Sequence, residues 1–363
     1  MPGVYISYPF CAQKCTYCNF ASGVFPRELE PKYVDALIAE IGAHEWQFTP
    51  ETVYLGGGTP SGIADVDLKR ILDVIPGPWR EATIEAAPGG ITPELAAAWA
   101  RAGINRVSLG VQSFVQRELA RTGRKHTAEI VEHEVAMLRA AGIENINIDL
   151  IAGLPGQTRA SWAESLAWID RLAPPHVSVY MLEVDEDSRL GAEVLLNGKR
   201  YGAPDVPSEE LTAEFYETAV GEFARMGIQR YEISNFARPG YESLHNLKYW
   251  RLEPYVGFGS DAHSFDCATR SQNVESPAEY VERIARGESA RTESILSNAT
   301  EERFFVGLRL AHGIEPSTEE WRRFEQPIGR FIDEGLLERS GARLRLTDRG
   351  VLLSNEVFAE FVT

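Results

Sequence analysis

Tyr8-Pro9-Phe10-Cys11-Ala12-Gln13-Lys14-Cys15-Thr16-Tyr17-Cys18-Asn19-Phe20 brings three cysteines within eight residues, just behind the short apolar run Val4-Tyr5-Ile6. Thiolates this close together usually hold a metal centre, and their number says which kind. A structural zinc site takes four protein ligands in a closed tetrahedron. Iron–sulfur clusters are held by cysteine thiolates, normally one per iron. Three cysteines would therefore leave one iron of a four-iron cubane open to a small molecule. A disulfide framework needs an even count and an oxidising compartment. The remaining cysteine, Cys267, lies far along the chain beside Asp266 and reads as a small packing residue.

Charge and length narrow the class. The 363 residues carry a net charge of −17, from 53 acidic and 36 basic side chains. General nucleic-acid binders show a basic footprint, so no nucleic acid is expected as partner. No apolar stretch approaches the ~20 residues that span a bilayer, so no membrane span is expected. Met1-Pro2-Gly3 shows no signal-peptide core, and the cytoplasm is the expected location.

Working outward from the cysteines, short apolar runs alternate with helical patterns. The strand-like runs are Val4–Ser7, Thr52–Leu55, Ala82–Ala87, Arg106–Leu109, Asn145–Leu150 and His176–Leu182. Their Val, Ile and Leu content suits parallel strands covered on both faces. Lys32–Trp46 carries an apolar stripe at helical spacing, and Thr92-Pro93-Glu94 reads as a helix cap. Ala102-Gly103-Ile104, Ala141-Gly142-Ile143 and Met226-Gly227-Ile228 repeat one junction: helix end, left-handed glycine, strand start. The third precedes a possible extra strand at Arg230–Ser234. Six such units suit an incomplete parallel (β/α)6 TIM-like barrel, with a flat doubly wound sheet as the alternative. Either places function at the C-terminal ends of the strands. Three segments are expected: a barrel over 1–235, a connection over 236–285 and a small winged-helix-like α/β domain over 286–363. In the last, Glu301–Leu310 and Pro327–Leu337 read as helices, Leu337–Leu346 as a hairpin and Val351–Phe361 as a final helix. Twelve acidic residues against nine arginines from Glu301 onward favour packing or partner contact over DNA there.

C-x-x-x-C-x-x-C behind a first strand resembles the radical S-adenosylmethionine superfamily. The resemblance implies that Cys11, Cys15 and Cys18 hold a 4Fe–4S cluster whose open iron binds the amino and carboxylate groups of S-adenosylmethionine. It also implies a three-quarter barrel and reductive cleavage of the sulfonium to a 5′-deoxyadenosyl radical. That chemistry belongs to the cofactor, while the protein binds and orients. Gly56-Gly57-Gly58-Thr59-Pro60 follows the second strand and resembles the superfamily loop that accepts the cofactor's amino group. Glu85 lies in the third strand, Gln112 follows the fourth and Asp149 lies in the fifth. Polar groups on apolar strands need partners, and at successive strand ends these suggest a ring around a ribose and an amino-acid moiety. Arg124 suits a carboxylate clamp. Tyr5 matches a family tyrosine that lies against the cofactor.

Asn105–Phe114 and Asp149–Thr158 narrow the resemblance to the oxygen-independent coproporphyrinogen III oxidase group. Its enzymatic branch carries a further cysteine two residues after the third, where this chain has Phe20. His245-Asn246-Leu247-Lys248-Tyr249-Trp250, followed by Gly257-x-Gly259-x-x-Ala262-His263-Ser264, is similar to the haem chaperone branch. That branch binds haem and delivers it to respiratory proteins, so a haem-accepting respiratory protein and an electron donor such as flavodoxin or ferredoxin are the implied partners. His245 and His263 are the candidate haem ligands, since a histidine can ligate haem iron. The alternative is an enzyme that decarboxylates coproporphyrinogen III to protoporphyrinogen IX. One departure stands out: Ser7 occupies a place where many relatives have histidine.

Overall fold

The computed structural model describes residues 1–362. Its first half is a regular alternation. β1 (Gly3–Tyr8), α1 (Leu29–Ala43), β2 (Thr52–Gly57), α2 (Asp65–Asp73), β3 (Glu81–Ala86) and α3 (Pro93–Arg101) come first. They are followed by β4 (Arg106–Gln112), α4 (Gln116–Thr122), α5 (Ala128–Ala140), β5 (Asn145–Ala152), α6 (Arg159–Leu172) and β6 (His176–Met181). β1 to β6 are parallel neighbours in chain order. The chain signals behave as their chemistry requires. Thr92 caps α3 by accepting from the Leu95 amide, and Gly103, Gly142 and Gly227 take left-handed torsions at helix ends.

The six strands alternate strictly. One face presents Val4, Ile6, Val53, Leu55, Ile84, Val107, Leu109, Ile146, Ile148 and Val177, all fully buried beneath the helices. The other face, one residue out of step, presents Tyr5, Tyr54, Thr83, Ser108, Asn147 and Ser178 to the barrel interior. The strands are thus apolar outward and polar inward, and only the outer face is the hydrophobic core. A ladder of hydrogen bonds satisfies the interior. Asn147 Nδ2 donates to Ser108 Oγ at 2.7 Å, and Ser178 Oγ donates to Asn235 Oδ1 at 2.8 Å.

Beyond β6 come α7 (Arg189–Leu195), α8 (Glu209–Arg225), β7 (Gln229–Arg230) and β8 (Asn235–Ala237), then α9 (Leu244–Trp250) and β9 (Tyr255–Phe258). β10 (His263–Phe265), β11 (Thr269–Asn273), α10 (Pro277–Ala285) and β12 (Arg291–Leu296) follow. All twelve strands so far form one sheet, ordered β12-β11-β10-β9-β1-β2-β3-β4-β5-β6-β8-β7. The sheet therefore runs on past residue 235. β9 pairs parallel to β1 on its free side, and three short antiparallel strands extend it. Their brevity and polar content hid them from a search for apolar runs. Of the extra strand expected at Arg230–Ser234 only Arg230 is in a strand, β7, and residues 231–234 turn back to β8, closed by the Tyr231 amide donating to Asn235 O at 3.1 Å.

The C-terminal unit holds α11 (Ala299–Phe305), α12 (Thr318–Arg323), α13 (Glu325–Asp333), the hairpin β13 (Leu337–Ser340) and β14 (Arg343–Leu346), α14 (Asp348–Leu352) and α15 (Ser354–Ala359). Phe304 packs on Phe324 and Phe361 with ring centroids 4.5 and 4.8 Å apart. The single helix expected over Val351–Phe361 is broken at Leu353 into two. Among the described residues no helix is long and apolar enough to cross a membrane.

Candidate cluster and cofactor site

The cysteine loop leaves the top of β1 and is pinned at both ends. Gly23 N donates to Pro9 O at 2.9 Å and Cys11 N to Gly23 O at 2.8 Å, so the chain returns alongside the strand it left. On the far side a strap over residues 183–206 holds it. Leu190 N donates to Thr16 O at 2.8 Å, Asn19 Nδ2 to Asp185 Oδ2 at 2.9 Å, and Arg189 to the Lys14 carbonyl. Cys11, Cys15 and Cys18 are unpaired, partly exposed thiols. Burial pushes the Cys11 thiol up, while the Thr59 and Ser22 hydroxyls in hydrogen-bonding contact pull it down, and the other two thiols also push it up. The other two sulfurs are thus near enough to act on the charge of Cys11. Among the described residues no three Cys, His, Asp or Glu side chains close on one point as ligands of a single ion do. Ligands of a cluster need not, since each thiolate takes its own iron.

The triglycine loop lies against this one. Gly58 N donates to Tyr8 O at 2.7 Å, and Thr59 N to Phe10 O at 2.9 Å. A Cβ on Gly58 would fall 2.6 Å from Phe10 O. Gly57 has φ +108° and donates its amide to Glu85 Oε2 at 3.2 Å. Glu85 Oε1 accepts from Tyr54 OH at 2.8 Å, and the Tyr54 ring stacks on Tyr5 at 6.1 Å. So Tyr5, Gly57, Gly58, Thr59 and Glu85 come together at the top of β1 to β3.

Glu85 is pushed up to about 7 from 4.5, chiefly by burial, with the Asp149 carboxylate adding to it. Between those two pH values the folded chain keeps a proton that the unfolded chain has lost, so stability falls as pH rises through that window. A neutral Gln escapes this. Cofactor-free Glu85→Gln is expected to exceed wild type by about 1–3 kcal/mol above about pH 8 and by little below about pH 4, allowing for partial hydration. Urea unfolding at the two pH values checks the difference.

Gln112 sits at φ +69° at the end of β4, with a buried Oε1 that has no partner. Its Nε2 would lie 3.1 Å from a Cβ on Gly110, and an Arg124 nitrogen 3.5 Å from the same point. Arg124 also donates to Gly110 O at 2.6 Å and to Tyr17 OH at 3.2 Å. An orphaned acceptor, a glycine cradle and a carboxylate at successive strand ends are the groups a polar cofactor needs. Asp149 differs, since both oxygens are taken, by Asn147 Nδ2 at 2.7 Å and Ser108 Oγ at 3.1 Å.

His245, expected as a candidate haem ligand, has no free ring nitrogen in the structure. It is fully buried, and both ring nitrogens are spent, Nδ1 on Thr52 Oγ1 and Nε2 on Tyr249 OH, each at 2.8 Å. Burial, then the Lys248 charge, holds its pKa down to about 3. The element packs at the other end of the barrel. Glu81 caps α9 by accepting from the His245 amide at 2.9 Å, and Arg309 covers the Trp250 ring at 4.5 Å. His263 is different: it is exposed at the start of β10, opposite Gln272. Gln272 lines a cleft of about 1020 Å³ beside the cysteine loop, together with Lys14, Phe20, Phe25, Val274 and Pro277.

Sequence reasoning missed Tyr54, Ser22, the strap and the polar interior. The period-two pattern Glu81/Thr83/Glu85, Asn145/Asn147/Asp149 and His176/Ser178 was the available signal for the interior. The strap has none, because its contacts join residues far apart in the chain.

Comparison with known proteins places this geometry. Residues 5–169 match the Radical SAM superfamily and residues 297–353 the HemN C-terminal domain. The class is thus a radical S-adenosylmethionine fold with a HemN-type C-terminal unit, which implies a 4Fe–4S cluster and S-adenosylmethionine. The heme chaperone HemW of Lactococcus lactis is 35% identical over 99% of this chain and 96% of its own. That of Bacillus subtilis is 35% identical over 100% and 99%. The chain belongs to the HemW heme chaperone family. Coproporphyrinogen III oxidase (HemN) of Escherichia coli superposes with TM-score 0.85 at 21% identity, covering 100% of this chain and 90% of that one, a likeness of fold alone.

Proposed function

We propose that this protein carries haem and hands it to a haem-accepting respiratory protein in the cytoplasm. The observation that carries the reading is the likeness to heme chaperones over nearly the whole of both chains. Phe20 supports it, since the enzymatic branch needs a cysteine there. Cys11, Cys15 and Cys18 hold the cluster. Tyr5, Gly57, Gly58, Thr59, Glu85, Gln112 and Arg124 surround S-adenosylmethionine, and Asp149 braces the ring from the barrel interior. Bound there, the cofactor supplies the cluster's fourth ligand. The protein's own part is to orient it, with Glu85 accepting from a cationic amine and Arg124 facing a carboxylate. A flavodoxin- or ferredoxin-type protein supplies electrons.

Haem is the cargo. His263 serves its iron rather than His245, because only His263 has an exposed ring, and the neighbouring cleft is roomy enough for a flat macrocycle. Titrating haem into the purified protein is expected to give a saturable absorption change, weakened at least about 10-fold in His263→Ala and not in His245→Gln if that variant folds. A flat titration of the wild type would remove the carrier reading. Decarboxylation of coproporphyrinogen III dependent on S-adenosylmethionine, read by mass spectrometry, would put the enzyme in its place.

A further inference from the structure

Ser22 closes the cysteine loop, with its side chain set against the sulfurs. The return of the chain beside Phe10, through the Gly23–Pro9 and Cys11–Gly23 backbone bonds at 2.9 and 2.8 Å, sets Ser22 against the start of the loop. Its amide is spent on Phe20 O at 2.7 Å, which fixes the residue from the other side. The side chain is buried, with 6% exposure. Its Oγ lies 3.9 Å from Cys18 Sγ, and its hydroxyl also draws the Cys11 thiol down. Both groups it reaches are therefore sulfurs of the triad. Thr59, from the triglycine loop, brings a second hydroxyl to Cys11.

A hydroxyl beside a thiolate can only donate to it. Such a bond strengthens as negative charge on the cluster grows, so it favours the reduced form over the oxidised one. Hydrogen bonds to the sulfurs are among the levers that set cluster potentials. We propose that Ser22, seconded by Thr59, tunes the cluster by donating hydrogen bonds to the sulfurs of Cys11 and Cys18, raising its reduction potential. This rests on the reading of the three cysteines as cluster ligands. The consequence bears on function. A cluster whose reduced state is stabilised gives up its electron less readily, so the same hydroxyls that ease reduction by a donor protein restrain electron transfer to S-adenosylmethionine. In a haem carrier that restraint suits a cofactor kept bound rather than consumed.

The test uses the full chain, reconstituted anaerobically with iron and sulfide and free of S-adenosylmethionine, so that any cofactor contact of Thr59 does not enter. Midpoint potentials are read by redox titration followed by electron paramagnetic resonance. Ser22→Ala is expected to load as much iron as wild type and to titrate at a more negative potential. Thr59→Val is expected to shift it the same way, and Ser22→Thr, which keeps the hydroxyl, to restore it. Equal midpoints for wild type, Ser22→Ala and Thr59→Val, with equal iron content, would overturn the proposal. Should Ser22→Ala fail to hold its cluster, Thr59→Val decides by the same criterion. A wild type that takes up no cluster at all would sink the cysteine reading itself, a different result from a loaded cluster with an unmoved potential.

Discussion

Cys15→Ala is expected to leave the anaerobically reconstituted protein with iron and sulfide near background. A cubane that already lacks a fourth protein ligand has no thiolate to spare, and two thiolates on one loop cannot replace the third. The fold should not suffer. Cys15 is partly exposed and makes no disulfide, so its truncation falls among changes that cost roughly 0.5 kcal/mol or less. Its neighbours are held by backbone bonds, Thr16 O to Leu190 N and Cys18 N to Cys15 O, which an alanine keeps. Loss of iron with an unaltered melting curve is therefore the signature of a missing ligand rather than of a collapsed loop. Cys267→Ala is the control. It lies at the β10–β11 turn, away from the loop, and should load as wild type does. Wild-type iron content in Cys15→Ala would show that the loop holds no three-thiolate cluster.

Gly58→Ala should be nearly as damaging, by a different route. The added methyl would sit 2.6 Å from Phe10 O, 2.7 Å from Pro9 C and 2.9 Å from Phe10 C. These are backbone atoms, so no side chain can swing aside. The two bonds that zip the loops together, Gly58 N to Tyr8 O and Thr59 N to Phe10 O, must stretch to admit it. Overpacking of this kind costs about 2–3 kcal/mol. It also moves Gly57 and Thr59 away from where Glu85 and Cys11 meet them, so S-adenosylmethionine should bind at least about 10-fold more weakly. Gly62→Ala, one turn on, has nothing within 4 Å of its new methyl and should be neutral. Equilibrium dialysis under anaerobic conditions and thermal unfolding read both effects. Unchanged affinity together with an unchanged melting temperature would mean the loop contact is slack.

The sequence was most legible where a physical requirement is local. The cysteine spacing, the Thr92 cap and the repeated helix-end glycines each act within a few residues, and each lies where its pattern placed it. Parallel strands β1 to β6 were legible because both burial and chain order mark them. Strands β9 to β12 were not, being three to six residues long and stabilised by pairing with distant partners. The period-two polar face was present in the sequence but masked by the equally regular apolar face beside it.

Histidine placement shows the limit of motif reading. His245 and His263 stand in one signature, eighteen residues apart. The sequence by itself determined the number and spacing of the cysteines in the N-terminal loop, because both are written in consecutive residues. Only the tertiary structure decided which histidine has a ring nitrogen to offer, and that Ser22, Thr59 and Cys11 meet. Burial and hydrogen-bond partners are set by chain segments that come together only on folding. Thr52 of β2 and Glu81 of β3 reach His245 from distant parts of the chain, while His263 is left exposed at the start of β10.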